Sequence, residues 1–193
     1  MTPGLEDSKN MRAAVFLDRD GVLNKAIVRD GRPYSPAEIE DLIILPGVED
    51  ACRHLRQAGL ALVCVTNQPD IARGTRSREQ VDAINNVLAE RLGLDAVLVC
   101  THDDKDNCAC RKPKPGLLTQ SAAKMRLELG RSIMVGDRWR DIAAGQAAGC
   151  RTVFIDYGYQ EPRPHAPDLI VCDLAAAVPW IILQTGTENC QLR

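Results

Sequence analysis

The stretch Val15-Phe16-Leu17-Asp18-Arg19-Asp20-Gly21-Val22-Leu23-Asn24 decides the fold of this 193-residue chain. An apolar run delivers two carboxylates, one residue apart, into a glycine turn. The pattern predicts a buried strand that leaves Asp18 and Asp20 at the carboxyl edge of a sheet, where open α/β folds bind their ligands. Alternation along the extended chain sends Arg19 the other way, so the two acids can share one small site. Such a pair suits a hard cation bound through oxygen while one carboxylate attacks an electrophile. On its own, the stretch also fits an ordinary strand followed by an acidic turn.

Working outward, short β-branched runs alternate with amphipathic segments, which predicts parallel strands joined by helices. Strands are expected at 13–17, 60–65, 96–99, 132–135, 153–155 and 169–171. The turn-rich segment 30–36 reads as a hairpin or excursion above the sheet. Pro46 opens a helix that Gly59 closes, and Ser77-Arg78-Glu79-Gln80 has the form of a capping box ahead of Val81, Ile84 and Leu88. Further helices are expected from Pro115 to a stop at Gly130, from about Asp141 to Ala148, and from Asp173 to about Gln184, with a proline-rich loop at 161–167. No repeat or long linker divides the chain. The expectation is one domain over 11–185, with short tails at 1–10 and 186–193.

Composition narrows the partners. Apolar residues make up 45% and charged residues 26%, the balance of a globular protein with a real core. A net charge of −2 and only 4% aromatic residues argue against a nucleic-acid partner. No run approaches the roughly 20 apolar residues of a membrane span. Residues 1–10 have no apolar core and no basic start, so they read as a flexible lead-in rather than a signal peptide. Of eight cysteines, Cys52, Cys64, Cys150 and Cys172 lie in or beside apolar segments, and Cys190 sits in a polar tail. A disulfide framework suits this chain poorly, so a reducing, cytoplasmic location is expected. Nothing in charge or composition points beyond a monomer.

The other three cysteines crowd around a histidine in Cys100-x-His102-x5-Cys108-x-Cys110. Three thiolates and an imidazole within eleven residues are the soft and borderline donors of a tetrahedral zinc site. All four positions are protein-filled, so the zinc is expected to be structural. It would pin a loop, 100–110, that has too few apolar residues to fold by itself. Buried or redox-active cysteines are the competing reading. His54 and His165 have no such company.

Four polar clusters fall at predicted strand ends: Asp18/Asp20, Thr66/Asn67, Arg111/Lys112 and Asp137/Asp141. In a parallel sheet these ends face one way and converge. The motifs Phe16-Leu17-Asp18-Arg19-Asp20-Gly21, Val65-Thr66-Asn67-Gln68, Cys110-Arg111-Lys112-Pro113-Lys114-Pro115-Gly116 and Val135-Gly136-Asp137-Arg138-Trp139-Arg140-Asp141 resemble those of the haloacid dehalogenase-like superfamily. Within it the chain is similar to the histidinol-phosphatase and heptose-bisphosphate-phosphatase group, whose members lack a large cap domain and carry a zinc loop before the lysine motif.

The resemblance implies a Rossmann-like parallel sheet with helices on both faces, and phosphatase chemistry. It implies magnesium held by Asp18, the Asp20 carbonyl and Asp137, with Asp18 as nucleophile and Asp20 as general acid and base. Thr66 and Asn67 would hydrogen-bond the transferring group, Lys112 would neutralise its charge, and Asp141 would orient Lys112 or metal-bound water. The substrate-facing set is then Arg19, Arg29, Asn67, Gln68, Arg111 and Arg138, with Arg29 the charged handle of the stretch 26–29. Arg111 and Arg138 flank the site and could bind a second anionic group, which favours a bisphosphorylated sugar among phosphorylated sugar substrates. The expected reaction is removal of the C7 phosphate of D-glycero-D-manno-heptose 1,7-bisphosphate. The segment 67–74 resembles the heptose branch except that Pro69-Asp70 stand where Ser-Gly is usual. The short zinc loop is closer to the histidinol-phosphatase branch. Histidinol phosphate and a non-catalytic zinc-stabilised binding protein are the alternatives.

Overall fold

The computed structural model describes residues 11–186, so the tail expected at 1–10 and, apart from Gly186, the tail expected at 186–193 lie outside the described residues. Six parallel strands form the central sheet: β1 (Ala14–Leu17), β4 (Ala61–Asn67), β5 (Ala96–Cys100), β6 (Ile133–Gly136), β7 (Arg151–Ile155) and β8 (Leu169–Val171), ordered β5-β4-β1-β6-β7-β8. An antiparallel hairpin, β2 (Ile27–Arg29) and β3 (Arg32–Tyr34), is the excursion read from the turn residues at 30–36. Helices α1 (Val48–Gln57), α2 (Arg78–Leu92), α3 (Gly116–Met125), α4 (Trp139–Ala148) and α5 (Leu174–Thr185) connect and close the layers.

Alternation on β1 explains the three-layer build. Val15 and Leu17 join a core with Leu55 of α1, Ile84 of α2 and Ile181 of α5, while Ala14 and Phe16 face Leu118 of α3 and Ala144 of α4. Both faces of the strand are therefore buried, as a parallel sheet requires, and the strand reads as a continuous apolar run. The chain leaves β1 through α1 on one face to reach β4, and leaves β6 through α4 on the opposite face to reach β7. Neighbouring strands whose connections depart to opposite faces leave a crevice at their carboxyl ends. Here that crevice lies between the ends of β1 and β6, which are joined by a hydrogen bond from Asp18 N to Val135 O at 3.0 Å.

Two helix boundaries differ from the sequence reading. Helix α3 stops at Met125 because Arg126 turns left-handed (φ 55°), which drives Leu127 into the core and pairs residues 126–128 with Arg12. Gly130 lies instead in a 3-10 turn over Leu129–Arg131. Helix α4 starts at Trp139, with Asp141 as its third residue, whose carboxylate accepts the Arg138 N–H at 3.0 Å. The capping box at Ser77 forms as expected, Ser77 Oγ accepting from Gln80 N and Gln80 Oε1 from Ser77 N. No helix among the described residues is long and apolar enough to cross a membrane.

Phe16 is fully buried between β1 and helices α3 and α4. Phe16→Ala is expected to lower the unfolding free energy by about 3–5 kcal/mol, read from denaturant titration.

Candidate active site

The topology brings Asp18, Lys112, Asp137 and Asp141 together beneath one cavity. Lys112 is 2% exposed, and its ammonium donates to Asp18 Oδ1 at 2.7 Å and to the Val65 carbonyl at 2.7 Å, with Asp141 Oδ1 at 2.6 Å. Burial works against this charge, but Asp141 and then Asp18 outweigh it and hold Lys112 above the ordinary lysine range. The lysine's own peptide is clamped as well: Lys112 N donates to Asn67 Oδ1 at 3.1 Å, and Asn67 Nδ2 donates to Lys112 O at 3.0 Å.

Three carboxylates face that one ammonium. Burial first, with Asp141 and Asp20 adding to it against the pull of Lys112, pushes Asp18 up to about 6. Burial again, then Asp18 and Asp141, raises Asp137 well above the ordinary range. Both Asp137 oxygens are buried with, among the described residues, no cation in contact and only the Tyr159 hydroxyl beside them, and oxygens of Asp18, Asp137 and Asp141 lie within 4.8 Å of one another. Buried carboxylate oxygens of this kind call for a counter-charge, and the all-oxygen donor set fits a hard divalent cation. Gly21 makes the close approach possible. Its φ is +92°, and a Cβ there would stand 1.9 Å from Asp137 Oδ2.

Asp20 turns to a different set of partners. It accepts from Asn24 Nδ2 at 3.0 Å, Ser35 Oγ at 2.7 Å and Gln68 Nε2 at 2.9 Å, and pairs with the Arg19 guanidinium at 3.0 Å. Burial raises its pKa, but the Arg19 charge and these hydrogen bonds leave it below the ordinary carboxylate value. Thr66 and Asn67 line the cavity, as do Arg111 and Arg138. Arg111 donates to Asp104 Oδ1 at 2.8 Å, and Arg138 pairs with Glu161.

Three residues of the expected substrate-facing set sit elsewhere. Arg19 is 0% exposed, locked between Asp20 and Asn85 Oδ1 (3.0 Å), so it supports Asp20 from beneath. Gln68 is buried and bridges Asp20 and Thr66 Oγ1 (2.9 Å), holding the two in register. Arg29 lies over the Tyr34 ring, 6.0 Å from its centroid, outside the cavity lining. The cavity, about 480 Å³, is also bordered by Arg32, Tyr34 and Gln160, which lie outside the motifs, and by Arg73 and Arg140, which lie within motif segments but were given no role there. The arginine content of 30–36 and 70–76 was the available signal.

A second donor cluster stands at the end of β5. Cys110 Sγ lies 3.3 Å from Cys100 Sγ, from Cys108 Sγ and from His102 Nδ1, and Cys100 Sγ lies 3.7 Å from Cys108 Sγ and from His102 Nδ1. Thiolates around a tetrahedral zinc at a Zn–S distance near 2.3 Å stand about 3.8 Å apart, so the set has the size and chemistry of a zinc site. The loop it closes carries Asp104, which accepts from both Arg111 (2.8 Å) and Arg140 (3.0 Å), and Asp103, which takes both ends of the Arg73 guanidinium at 2.9 Å.

Comparison with known proteins agrees with this geometry. The profile of the haloacid dehalogenase-like hydrolase family matches residues 15–149. The chain belongs to that family. Among its relatives are the D-glycero-D-manno-heptose-1,7-bisphosphate 7-phosphatase of Thermosynechococcus vestitus, 37% identical over 88% of this chain and 95% of that protein, and the D-glycero-beta-D-manno-heptose-1,7-bisphosphate 7-phosphatase of Haemophilus influenzae, 40% identical over 72% of this chain and 78% of that protein. A solved structure, the D,D-heptose 1,7-bisphosphate phosphatase of B. bronchiseptica complexed with magnesium and phosphate, superposes with a TM-score of 0.75 at 30% identity, covering 89% of this chain and 99% of that one.

In this haloacid dehalogenase-like chain, Gly21→Ala forces either the turn or Asp137 to move. A shift of about 1 Å in a reacting group costs on the order of a hundredfold in rate. Turnover is expected to fall by about that factor while circular dichroism stays native, and a variant within twofold of wild type would show that Asp137 tolerates the displacement.

Proposed function

We propose that the protein is a magnesium-dependent phosphatase that removes the C7 phosphate of D-glycero-D-manno-heptose 1,7-bisphosphate, working in the cytoplasm as a monomer. The observation that carries this reading is the buried Lys112, shared by Asp18 and Asp141 beneath a cavity bordered by arginines. A volume of about 480 Å³ suits a sugar bisphosphate. Relatives named for that substrate across most of the chain support the choice.

Asp18 is the nucleophile. Lys112 holds one of its oxygens, which leaves the other to attack phosphorus as the ester P–O bond breaks. Asp20 is assigned as the general acid, giving a proton to the leaving alkoxide as the P–O bond breaks. The resulting Asp20 carboxylate then removes a proton from water. That water attacks phosphorus, breaks the bond to Asp18 and releases inorganic phosphate. Lys112 and Thr66 face the charge that develops on the transferring group. Asp18, Asp137 and the Asp20 carbonyl would hold magnesium, which when bound cancels phosphate charge and admits an anionic nucleophile.

Cys100, His102, Cys108 and Cys110 are the ligands of a structural zinc in this reading. Their role is to hold Asp103, Asp104 and the start of the lysine motif in place, and Asp104 in turn holds two cavity arginines. None of the seven described cysteines forms a disulfide, which suits a reducing compartment.

Asp18→Asn is expected to abolish phosphate release and leave the fold intact, and retained turnover removes Asp18 as the nucleophile. Elemental analysis of folded, metal-replete protein should find one zinc per chain. Stripping it with a chelator should lower melting temperature and turnover together, and a zinc-free sample with full activity defeats the assignment. A phosphate-release panel with magnesium, covering the heptose bisphosphate, sugar monophosphates and histidinol phosphate, tests the substrate. Higher kcat/KM on histidinol phosphate overturns it.

A further inference from the structure

Six cations border the cavity among the described residues: Arg32, Arg73, Arg111, Lys112, Arg138 and Arg140. Five already have a carboxylate. Arg73 is held by Asp103, Arg111 and Arg140 by Asp104, Arg138 by Glu161, and Lys112 by Asp18 and Asp141. The Arg32 guanidinium has neither an ion pair nor a hydrogen bond among the described residues. We propose that Arg32 is a specificity-determining residue that binds the phosphate of a bisphosphorylated sugar that is not cleaved.

Position supports the assignment as well as charge. Arg32 sits at the tip of the β2–β3 hairpin, and the hairpin is tied down on both sides of it. Before it, the Gly31 carbonyl accepts from Gln160 N at 2.8 Å, and a Cβ on Gly31 would stand 2.6 Å from the Gln160 side chain. After it, Ser35 Oγ donates to Asp20 Oδ2 at 2.7 Å, and Arg76 donates to the carbonyls of Ser35 and Pro36. The tip is thus fixed relative to the phosphoryl-transfer residues rather than free to follow solvent. A guanidinium fixed on the wall of the same cavity offers a planar fork of donors that matches a phosphate in two bonds. Arg29, its cross-strand partner, is occupied over Tyr34 and does not line this cavity.

The inference rests on the phosphatase reading above and is tested apart from its choice of sugar. Wild type and Arg32→Gln are compared on paired substrates that differ by one phosphate: heptose 1,7-bisphosphate with heptose 7-phosphate, and fructose 1,6-bisphosphate with fructose 6-phosphate. A lost charge-assisted pair predicts a fall of about ten- to a hundredfold in kcat/KM on the bisphosphate, mostly through KM, with the monophosphate within twofold of wild type. Arg32→Lys should recover part of the loss. An equal fall on both members of a pair, no fall at all, or a wild type indifferent to the second phosphate overturns the inference. A wild type that prefers fructose bisphosphate, with the Arg32→Gln loss intact, overturns only the heptose reading. Arg32 is exposed, so melting temperature should be unchanged and the kinetic comparison read directly.

Discussion

An ammonium buried beneath the sheet edge governs the rest of this site. At an effective dielectric near 20, opposite unit charges 4 Å apart attract by about 4 kcal/mol, which is enough to keep Lys112 charged out of water when two carboxylates share it. Asp18 and Asp141 come from different strand-helix junctions, so the lysine binds two halves of the molecule as well as its chemistry. The charges do not balance. Three carboxylates against one ammonium leave Asp137 without a counter-charge, and it is this deficit that makes the crevice receptive to a divalent ion.

The sheet topology sets where such a cluster can form. Strands β1 and β6 are neighbours whose connecting helices leave toward opposite faces, so the crevice between their ends is open to ligands. Chain outside the sheet then walls it. The β2–β3 hairpin, the loop bearing Gln160 and Glu161, and the cysteine-rich loop each supply one side, and each is tied to a neighbour: Gln160 to Gly31, Glu161 to Arg138, Asp104 to Arg111. A small fold thereby encloses a substrate-sized volume without a separate cap domain.

Strand positions and the acidic cluster were readable because each rests on local pattern. Buried parallel strands are apolar on both faces, and a carboxylate at the end of such a run has few structural excuses. What escaped reading depends on contacts distant in sequence. The end of α3 is decided by Leu127 finding the core and by Arg12 pairing with residues 126–128, not by Gly130. Arg19 looks like a ligand-facing cation until Asn85, from α2, closes over it. Gln68 follows the same logic, since its amide meets Asp20 only once β4 lies beside β1. Arg29 and Arg32 flank one two-residue turn, and only the placement of the hairpin tells which of them borders the cavity.

The reciprocal pairing of Asn67 with the main chain of Lys112 imposes a restriction of its own. A carboxamide offers one donor and one acceptor spaced like those of a peptide group, so it imitates an extra rung of sheet where no strand exists. Aspartate would lack the donor, and glutamine would overshoot by a methylene. Strict retention of asparagine at this position across relatives would therefore record a requirement of chain architecture, even though the residue stands at the mouth of a reactive pocket.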